Sequence, residues 1–250
     1  MVDAIAAVEG SIDEPEKQKI RILICTPVYG DTVKRGYAHS LAQTIAYFCQ
    51  HKSEADRYID VQMVFSSNLI ENRHILVSKA HQFEATHMLF WDADIKVPYE
   101  AIVRMVNHGL PIVALNYPKK EPEARPTAYI DTDDYVGPCF TQSQHTGLQE
   151  VTSCGFGFML IDMRVFDKLD TPLFQFTQEG SEGIQTETED VFFCRKAREA
   201  GFHIVIDHDL SKLCAHLGDW EFTCAMSDIA QSAKQEIYRR MPTSGPEVPH

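Results

Sequence analysis

The chain has 250 residues, 44% of them hydrophobic and 24% charged, and its formal net charge is −13. These values predict one large globular domain with a substantial core. The sequence contains no run of about 18 apolar residues, which excludes a transmembrane helix, and the acidic balance argues against general nucleic-acid binding, because a phosphate backbone attracts basic surfaces.

Residues 1–19 are polar, acidic and without periodicity, so we expect a flexible arm there. They do not show the basic segment followed by an apolar one that marks a secretory signal. The seven cysteines are scattered and form no Cys-x-x-Cys pair, so they predict neither a disulfide framework nor a structural zinc site. Reduced thiols are typical of the cytoplasm, where we expect this protein to be located.

Apolar periodicity alternates between strand-like and helix-like segments over residues 20–115. Strands are predicted at residues 20–25, 61–65, 88–91 and 111–115. The helices predicted between them carry Leu41, Ile45 and Phe48 on the first, Ile75, Leu76, Lys79 and Phe83 on the second, and run from Pro98 to Gly109 in the third. Asp31 or Thr32 is expected to cap the first helix. This alternation predicts an α/β fold, a single domain in which a mostly parallel, Rossmann-like sheet carries helices on both faces.

The second half of the chain departs from this alternation. Residues 116–147 are rich in Pro, Lys, Asp, Thr and Gly and predict a long excursion of the kind that carries substrate contacts. Tyr117, Lys119 and Lys120 are candidates to line it, although a solvated basic turn explains the lysines equally well. Further strands are predicted within residues 151–162 and 202–206, and helices at 164–169, 189–200 and 219–240, before a disordered tail.

Two carboxylates follow the most apolar of the predicted strands. Asp92 and Asp94 are separated only by Ala93, directly after the run Met88–Trp91. Residues two apart in an extended segment point the same way, so both acids are expected to face one site at the end of the strand. Converging carboxylates repel each other unless a cation or a donor lies between them, and oxygen ligands suit Mg²⁺ or Mn²⁺ carrying phosphate. A strand-end turn is the alternative, and we favour a metal–diphosphate site.

Two later segments each have a structural and a functional interpretation. Gly155 and Gly157 flank a phenylalanine, which predicts either the close approach of a ligand or backbone, or a β-bulge. Glu187, Glu189 and Asp190 lie at the start of a predicted helix. Acids in this position either stabilise the helix dipole or serve in catalysis.

Taken in order, these motifs resemble those of the GT-A fold glycosyltransferases, especially small family-2-like enzymes with an Asp-x-Asp motif. The resemblance covers about residues 20–220. The segments that carry it are Thr26-Pro-Val-Tyr-Gly30, Asn72-Arg73, Asp92-Ala-Asp94, Gly155-Phe-Gly-Phe-Met-Leu-Ile161, Glu189-Asp-Val-Phe-Phe193 and Ala215-His-Leu-Gly218. It implies a nucleotide-binding half over residues 20–115, an acceptor and metal half over 116–220, and a C-terminal helix and tail over 221–250.

The resemblance implies a nucleotide-sugar donor, with uridine diphosphate as the default nucleotide and guanosine diphosphate as the alternative. The residues that it places at this donor are Thr26, Pro27, Val28, Tyr29, Asp31, Arg73, Asp92, Gly155 and Phe156. Asp92 would contact the ribose or the metal. Gly155 and Phe156 would border the donor sugar and the acceptor.

The resemblance also implies a Mn²⁺ or Mg²⁺ cofactor held by Asp94 and His216, with Asp92 beside them, and the imidazole favours manganese. Glu189 and Asp190 match the segment that supplies the general base in inverting members. We expect Asp190 to take the proton of an acceptor hydroxyl, with Glu189 orienting the acceptor or acting as the alternate base and Glu187 as an outside candidate. In a retaining enzyme Asp190 need not be a base.

The acceptor stays open at this stage, as a glycan, a lipid-linked sugar, a protein or a modified nucleic-acid base. Three other functions fit parts of the pattern. A haloacid-dehalogenase-like phosphatase uses Asp-x-Asp, but usually near its N-terminus, and a nucleotidyltransferase usually carries a glycine-rich basic loop, of which residues 30–35 are a poor version. A non-catalytic nucleotide- or glycan-binding module would not need the Glu189–Asp190 pair. We therefore favour a metal-dependent glycosyltransferase.

Overall fold

The computed structural model describes residues 19–30, 32–53, 55–65, 68–133, 136–179 and 184–240. Most of the expected N-terminal arm, the expected disordered tail and Asp31 lie outside these ranges. None of the described helices is both long and apolar enough to span a membrane.

The strands of the described ranges are β1 (Lys19–Val28), β2 (Asp56–Phe65), β3 (His87–Trp91), β4 (Ile95–Lys96), β5 (Ile112–Ala114), β6 (Tyr129–Asp131), β7 (Val136–Pro138), β8 (Leu148–Val151), β9 (Phe158–Asp162), β10 (Thr177–Glu179), β11 (Ile184–Glu187), β12 (Ile204–Asp207), β13 (Ala215–Leu217) and β14 (Glu221–Phe222). The helices are α1 (Arg35–Gln50), α2 (Leu69–Gln82), α3 (Ala101–Asn107), α4 (Met163–Lys168), α5 (Glu189–Glu199), α6 (His208–Ser211) and α7 (Cys224–Arg240).

A seven-stranded sheet in the order β2-β1-β3-β9-β5-β12-β8 forms the centre of the molecule. Its pairing directions show that β1, β2, β3, β5 and β12 run the same way, whereas β8 and β9 run against them. Successive residues of β1 alternate between two cores: Leu23 packs with residues of α2, α4 and α5, and Ile24 packs with residues of α1, α3 and α6. The predicted fold class is therefore confirmed as a single α/β domain with a mostly parallel sheet between helices.

The antiparallel strand β9, inserted between β3 and β5, was not predicted as such. A short apolar run indicates a buried strand but not its direction, because the same residues suit either pairing. Trp91 is paired with Phe158, so β9 begins where β3 ends. The backbone N–H of Asp92 then donates to the carbonyl of Gly157 at 2.9 Å, which ties the acid pair to the glycine segment.

The expectation that Thr32 caps the first helix is wrong, because α1 begins only at Arg35. Its N-cap residue is Lys34, which makes no side-chain capping hydrogen bond. Lys34 instead donates its backbone N–H to the carbonyl of Ala93 at 3.0 Å. The loop that precedes α1 is thereby held against the turn between Asp92 and Asp94. The C-terminal helix also begins later than expected, at Cys224, because β14 pairs with β13 before it.

Candidate functional site

An open cavity of about 550 Å³ lies at the carboxyl ends of β1 and β3, where the strand order places a ligand site. It is lined by residues 27–29 and 32–34, by Leu69 and residues 72–73 of α2, and by residues 92–94. Both members of the acid pair thus border the same space. We call this space the first cavity.

Only part of the predicted nucleotide-binding loop lines this cavity. Thr26 is fully buried, and its hydroxyl oxygen lies 2.7 Å from that of Tyr37, so it fixes the first turns of α1 rather than lining the cavity. Pro27, Val28 and Tyr29 do line it. Tyr29 is 86% exposed, the highest fraction among the exposed large hydrophobic residues of the described ranges, which suits stacking on a flat base.

Arg73 and Glu189 form a buried ion pair. The Arg73 Nε and Nη2 atoms both donate to Glu189 Oε1 at 3.2 Å, and the two side chains are only 3% and 8% exposed. The guanidinium also lies over the rings of Phe90 and Phe156, at 5.0 and 4.5 Å from their centroids. Glu189 is therefore directed at Arg73, an arrangement that suits a positioning residue. Its predicted role as an alternate base stays a prediction.

This pair leads to a stability prediction. Glu189→Ala leaves the Arg73 charge buried without its partner, so we expect the free energy of unfolding to fall by about 3–5 kcal/mol. Glu187→Ala is the matched control, because the Arg195 side chain with which Glu187 pairs is 43% exposed and an exposed ion pair contributes about 1 kcal/mol or less. Denaturant unfolding of both variants measures the difference. Equal losses in the two variants would contradict the buried-pair interpretation.

Asp92 lies at the floor of the first cavity with one oxygen, Oδ1, buried and without a hydrogen-bond partner among the described residues. Burial raises the pKa of this carboxyl group, the Arg73 charge opposes that rise, and the Asp94 charge adds to it. A buried carboxylate oxygen without a donor is costly in an isolated protein. This loss of stability is consistent with a role of Asp92 Oδ1 in binding a ligand.

Asp92→Asn is therefore expected to stabilise the isolated protein near neutral pH. Because the folded-state pKa of Asp92 is raised, its contribution to stability is fully present below the unfolded pKa of about 3.9 and is lost as pH rises through the folded value. Asparagine cannot ionise, so the melting temperature of the variant should rise further above that of the wild type as the pH increases from 4 to 7. Thermal melting of both proteins between pH 4 and 7 measures it. A variant that melts lower at pH 7 would show that Arg73 outweighs burial.

Asp94 lies between two basic side chains. Its Oδ2 contacts the ammonium of Lys120, and its Oδ1 lies 3.5 Å from Nε2 of His216. Burial raises the pKa of Asp94, but hydrogen bonds from His216 and Lys120 outweigh it and hold that pKa below its usual value. His216 is delivered by β13, which pairs with β4 so that His216 stands opposite Ile95, directly after Asp94.

The histidine tautomer follows from its second nitrogen. Nδ1 of His216 lies 3.0 Å from the carbonyl oxygen of Pro118, which can only accept, so Nδ1 carries a proton. In metal-binding histidines the second nitrogen commonly donates to such a carbonyl and leaves the first free to coordinate. Nε2 of His216 faces Asp94 and would coordinate a metal ion in place of that contact.

The donor set fits the divalent cation that the resemblance implies. The Asp94 carboxylate and the His216 imidazole suit Mn²⁺, and the unpartnered Oδ1 of Asp92 is a further candidate ligand. Within the described ranges, no group of three or more His, Cys, Asp and Glu side chains forms a ready-made metal site. Asp94 and His216 would therefore hold the ion together with phosphate oxygens and water, as is common for magnesium-type sites.

The glycines of the 155–157 segment have a packing role. A Cβ atom on Gly155 would come within 2.5 Å of the Tyr117 hydroxyl oxygen, and one on Gly157 within 2.4 Å of the Tyr117 ring. The Gly157 N–H donates to the Tyr117 hydroxyl at 2.9 Å. Phe156 is 1% exposed and packs on Phe90 in the core. The residues that line the first cavity do not include Gly155 or Phe156, so their predicted contact with the donor sugar stays a prediction.

A second cavity of about 650 Å³ opens beside the start of α5. It is lined by Lys119, residues 129–131, Gly137, residues 152–153, residues 187–188 and Val191. The predicted excursion and the acidic segment thus face one another across this space.

In the sequence, Asp190 lies between Thr188 and Val191, both of which line the second cavity. Its Oδ1 accepts from the backbone N–H of Val191 at 2.9 Å and from the hydroxyl of Thr188, and no described residue donates to Oδ2. Burial and the charges of Asp92 and Asp190 together raise the pKa of Tyr117 well above its usual value.

Comparison with known proteins gives a likeness of fold. No family model matches the chain, and no curated protein sequence matches it. The solved structure of A197 from STIV is 19% identical over 80% of this chain and 87% of its own, with a TM-score of 0.50. UDP-glucose pyrophosphorylase complexed with UDP-glucose (8% identity, 89% and 100% covered) and S. aureus TarS 1-349 (12% identity, 76% and 58% covered) have TM-scores of 0.43 and 0.42.

At 19% identity the likeness to A197 concerns the fold alone, and the two lower TM-scores carry no argument about this chain. The assignment of the site therefore depends on its own geometry. The sequence did not indicate Lys34 at the first cavity, and it did not single out the residues of β6 within the excursion that lines the second. Neither set carries a motif, because short polar segments between strands have no periodicity to identify them.

Proposed function

We propose that this protein is a metal-dependent glycosyltransferase, which moves a sugar from a nucleotide diphosphate sugar, by default a UDP-sugar, to a hydroxyl group. The observation that supports this proposal is that two cavities are each bordered by acidic residues. An acid pair lies at the first cavity, and a separate carboxylate lies beside the second. In this assignment residues 20–115 supply the nucleotide-binding half, and residues 116–220 supply the acceptor and metal half.

The donor occupies the first cavity in this proposal. The base lies against Pro27–Tyr29, and the diphosphate lies toward Asp94, with Lys34 and Arg73 as the cationic residues of the lining. A divalent cation held by Asp94 and His216 would neutralise the negative charge that develops on the departing diphosphate. The protein itself orients these groups. The backbone N–H of Lys34 holds the turn between the two acids, and Glu189 holds the guanidinium of Arg73.

The acceptor occupies the second cavity. Its hydroxyl oxygen forms a bond to the anomeric carbon, the bond from that carbon to the diphosphate oxygen breaks, and the nucleoside diphosphate leaves with the electron pair. Asp190 receives the hydroxyl proton on Oδ2, the oxygen that accepts no hydrogen bond from a described residue. Thr188 and the Val191 N–H hold Oδ1 and so set the direction of Oδ2.

A screen of nucleotide-sugars with Mn²⁺ tests this function. We expect at least one donor to be hydrolysed slowly in the absence of an acceptor, and Asp94→Ala to remove that activity. Parallel reactions test the competing functions: UTP with a sugar 1-phosphate for pyrophosphate release, and sugar phosphates for phosphate release. Pyrophosphate or phosphate release without donor hydrolysis would replace the proposal by a nucleotidyltransferase or a phosphatase.

A further inference from the structure

The ammonium group of Lys120 contacts the carboxylate oxygen that a metal-bound donor would need. Its Nζ is bonded to Oδ2 of Asp94, and the two side chains are 33% and 30% exposed. Lys120 belongs to a turn closed by two backbone hydrogen bonds, from Glu121 N–H to Lys119 at 2.9 Å and from Lys119 N–H to Arg125 at 2.7 Å. The backbone is therefore fixed, while the long side chain retains access to solvent.

The neighbouring lysine is directed elsewhere. Nζ of Lys119 lies 3.3 Å from the hydroxyl of Tyr129 and 5.3 Å from the centroid of its ring, at the second cavity. Two adjacent ammonium groups of the same turn are thus divided between the two cavities. Only Lys120 contacts the acid pair, so a solvated basic turn does not explain both side chains equally.

The Asp94 carboxylate cannot bind Lys120 and a divalent cation through the same oxygen. When a cation takes Oδ2, the ammonium group must leave it, and a diphosphate at the first cavity is the strongest nearby acceptor for a displaced ammonium. The lysine side chain is flexible and binds phosphate as a point charge, so a short displacement is sufficient.

We propose that Lys120 is a donor-binding residue that holds Asp94 in the free protein and binds the diphosphate in the complex. The proposal rests on the proposed function. It gives Lys120 two opposed effects: competition with a metal ion for Asp94 when no nucleotide is present, and attraction of the nucleotide when the metal is bound. A purely structural ion pair would not attract the nucleotide when the metal is bound.

Lys120→Met separates the two effects, with Lys119→Met as the matched control. Free Mn²⁺, counted by its electron paramagnetic resonance signal, measures binding of the metal alone, and calorimetric titration with UDP at saturating Mn²⁺ measures binding of the nucleotide. We expect Lys120→Met to bind Mn²⁺ about threefold more tightly, the scale of an exposed ion pair. It should bind UDP about tenfold more weakly, the scale of a charged hydrogen bond. Lys119→Met should match the wild type in both.

Lys120→Arg is the second variant, and thermal melting confirms that each protein is folded. The arginine keeps the charge, so UDP affinity should stay within about threefold of the wild type. A wild-type protein that binds UDP while Lys120→Met changes neither affinity, or changes both in the same direction, would overturn this inference alone. A wild-type protein that binds neither Mn²⁺ nor UDP would overturn the proposed function and this inference with it.

Discussion

Asp190→Asn is expected to lower the rate of sugar transfer by roughly two or more orders of magnitude, because the acceptor hydroxyl loses the carboxylate that takes its proton. The amide oxygen of asparagine can still accept from Val191 N–H and from the Thr188 hydroxyl, as Oδ1 of Asp190 does. Stability should therefore change by about 1 kcal/mol or less. Donor affinity should also be kept, because Asp190 does not line the first cavity.

The measurement combines the transfer rate with thermal melting and UDP affinity, once the donor screen has identified an acceptor. Glu199→Gln is the control, since Glu199 lies at the other end of the same helix, is bonded to Arg195 at 3.0 Å and lines neither cavity. If Asp190→Asn melts early but transfers normally per folded molecule, Asp190 serves only the helix terminus. The base must then be sought at Glu189 and next at Glu187.

Asp94→Ala is expected to abolish Mn²⁺-dependent binding of UDP while the fold is retained. The side chain supplies the carboxylate nearest to His216, whereas its exposed contact with Lys120 contributes about 1 kcal/mol or less to stability. Calorimetric titration of UDP, with and without Mn²⁺, measures the loss. His216→Ala should weaken metal binding as well, and by a smaller amount.

The control for this substitution is Glu221→Ala, which removes another carboxylate paired with an exposed lysine, Lys96, at 2.9 Å. Glu221 does not line the first cavity, so UDP binding should be unchanged. Unaltered Mn²⁺-dependent binding in Asp94→Ala would show that the acid pair is a strand-end turn. Wild-type metal affinity in His216→Ala would assign His216 to its contact with Pro118 alone.

The sequence predicted those parts of the fold that depend on local pattern. The alternating apolar segments of residues 20–115 specify β1, β3, β5 and the helices between them, because each buries one face. The direction of β9 and the pairing of β4 with β13 depend on contacts between distant segments. A three-residue strand such as β13 carries no periodicity of its own.

The same limit applies to the candidate site. Asp92 and Asp94 were predicted to share one site because side chains two residues apart in an extended segment point the same way. Both line the first cavity. Arg73 and Glu189 were assigned separate roles, although they are bonded to each other across 116 positions of sequence. Phe156 was expected at the donor but lies in the core, since its apolar character suits either place.

The first cavity is expected to bind a nucleoside diphosphate through the acid pair. The most direct test is a crystal structure of the protein with UDP and Mn²⁺. The expected result is density for UDP between residues 27–29 and the acid pair, with the metal on Asp94 and His216 and the second cavity left open beside Asp190. UDP bound in the second cavity, or at the first cavity without any contact to Asp92 or Asp94, would contradict the assignment.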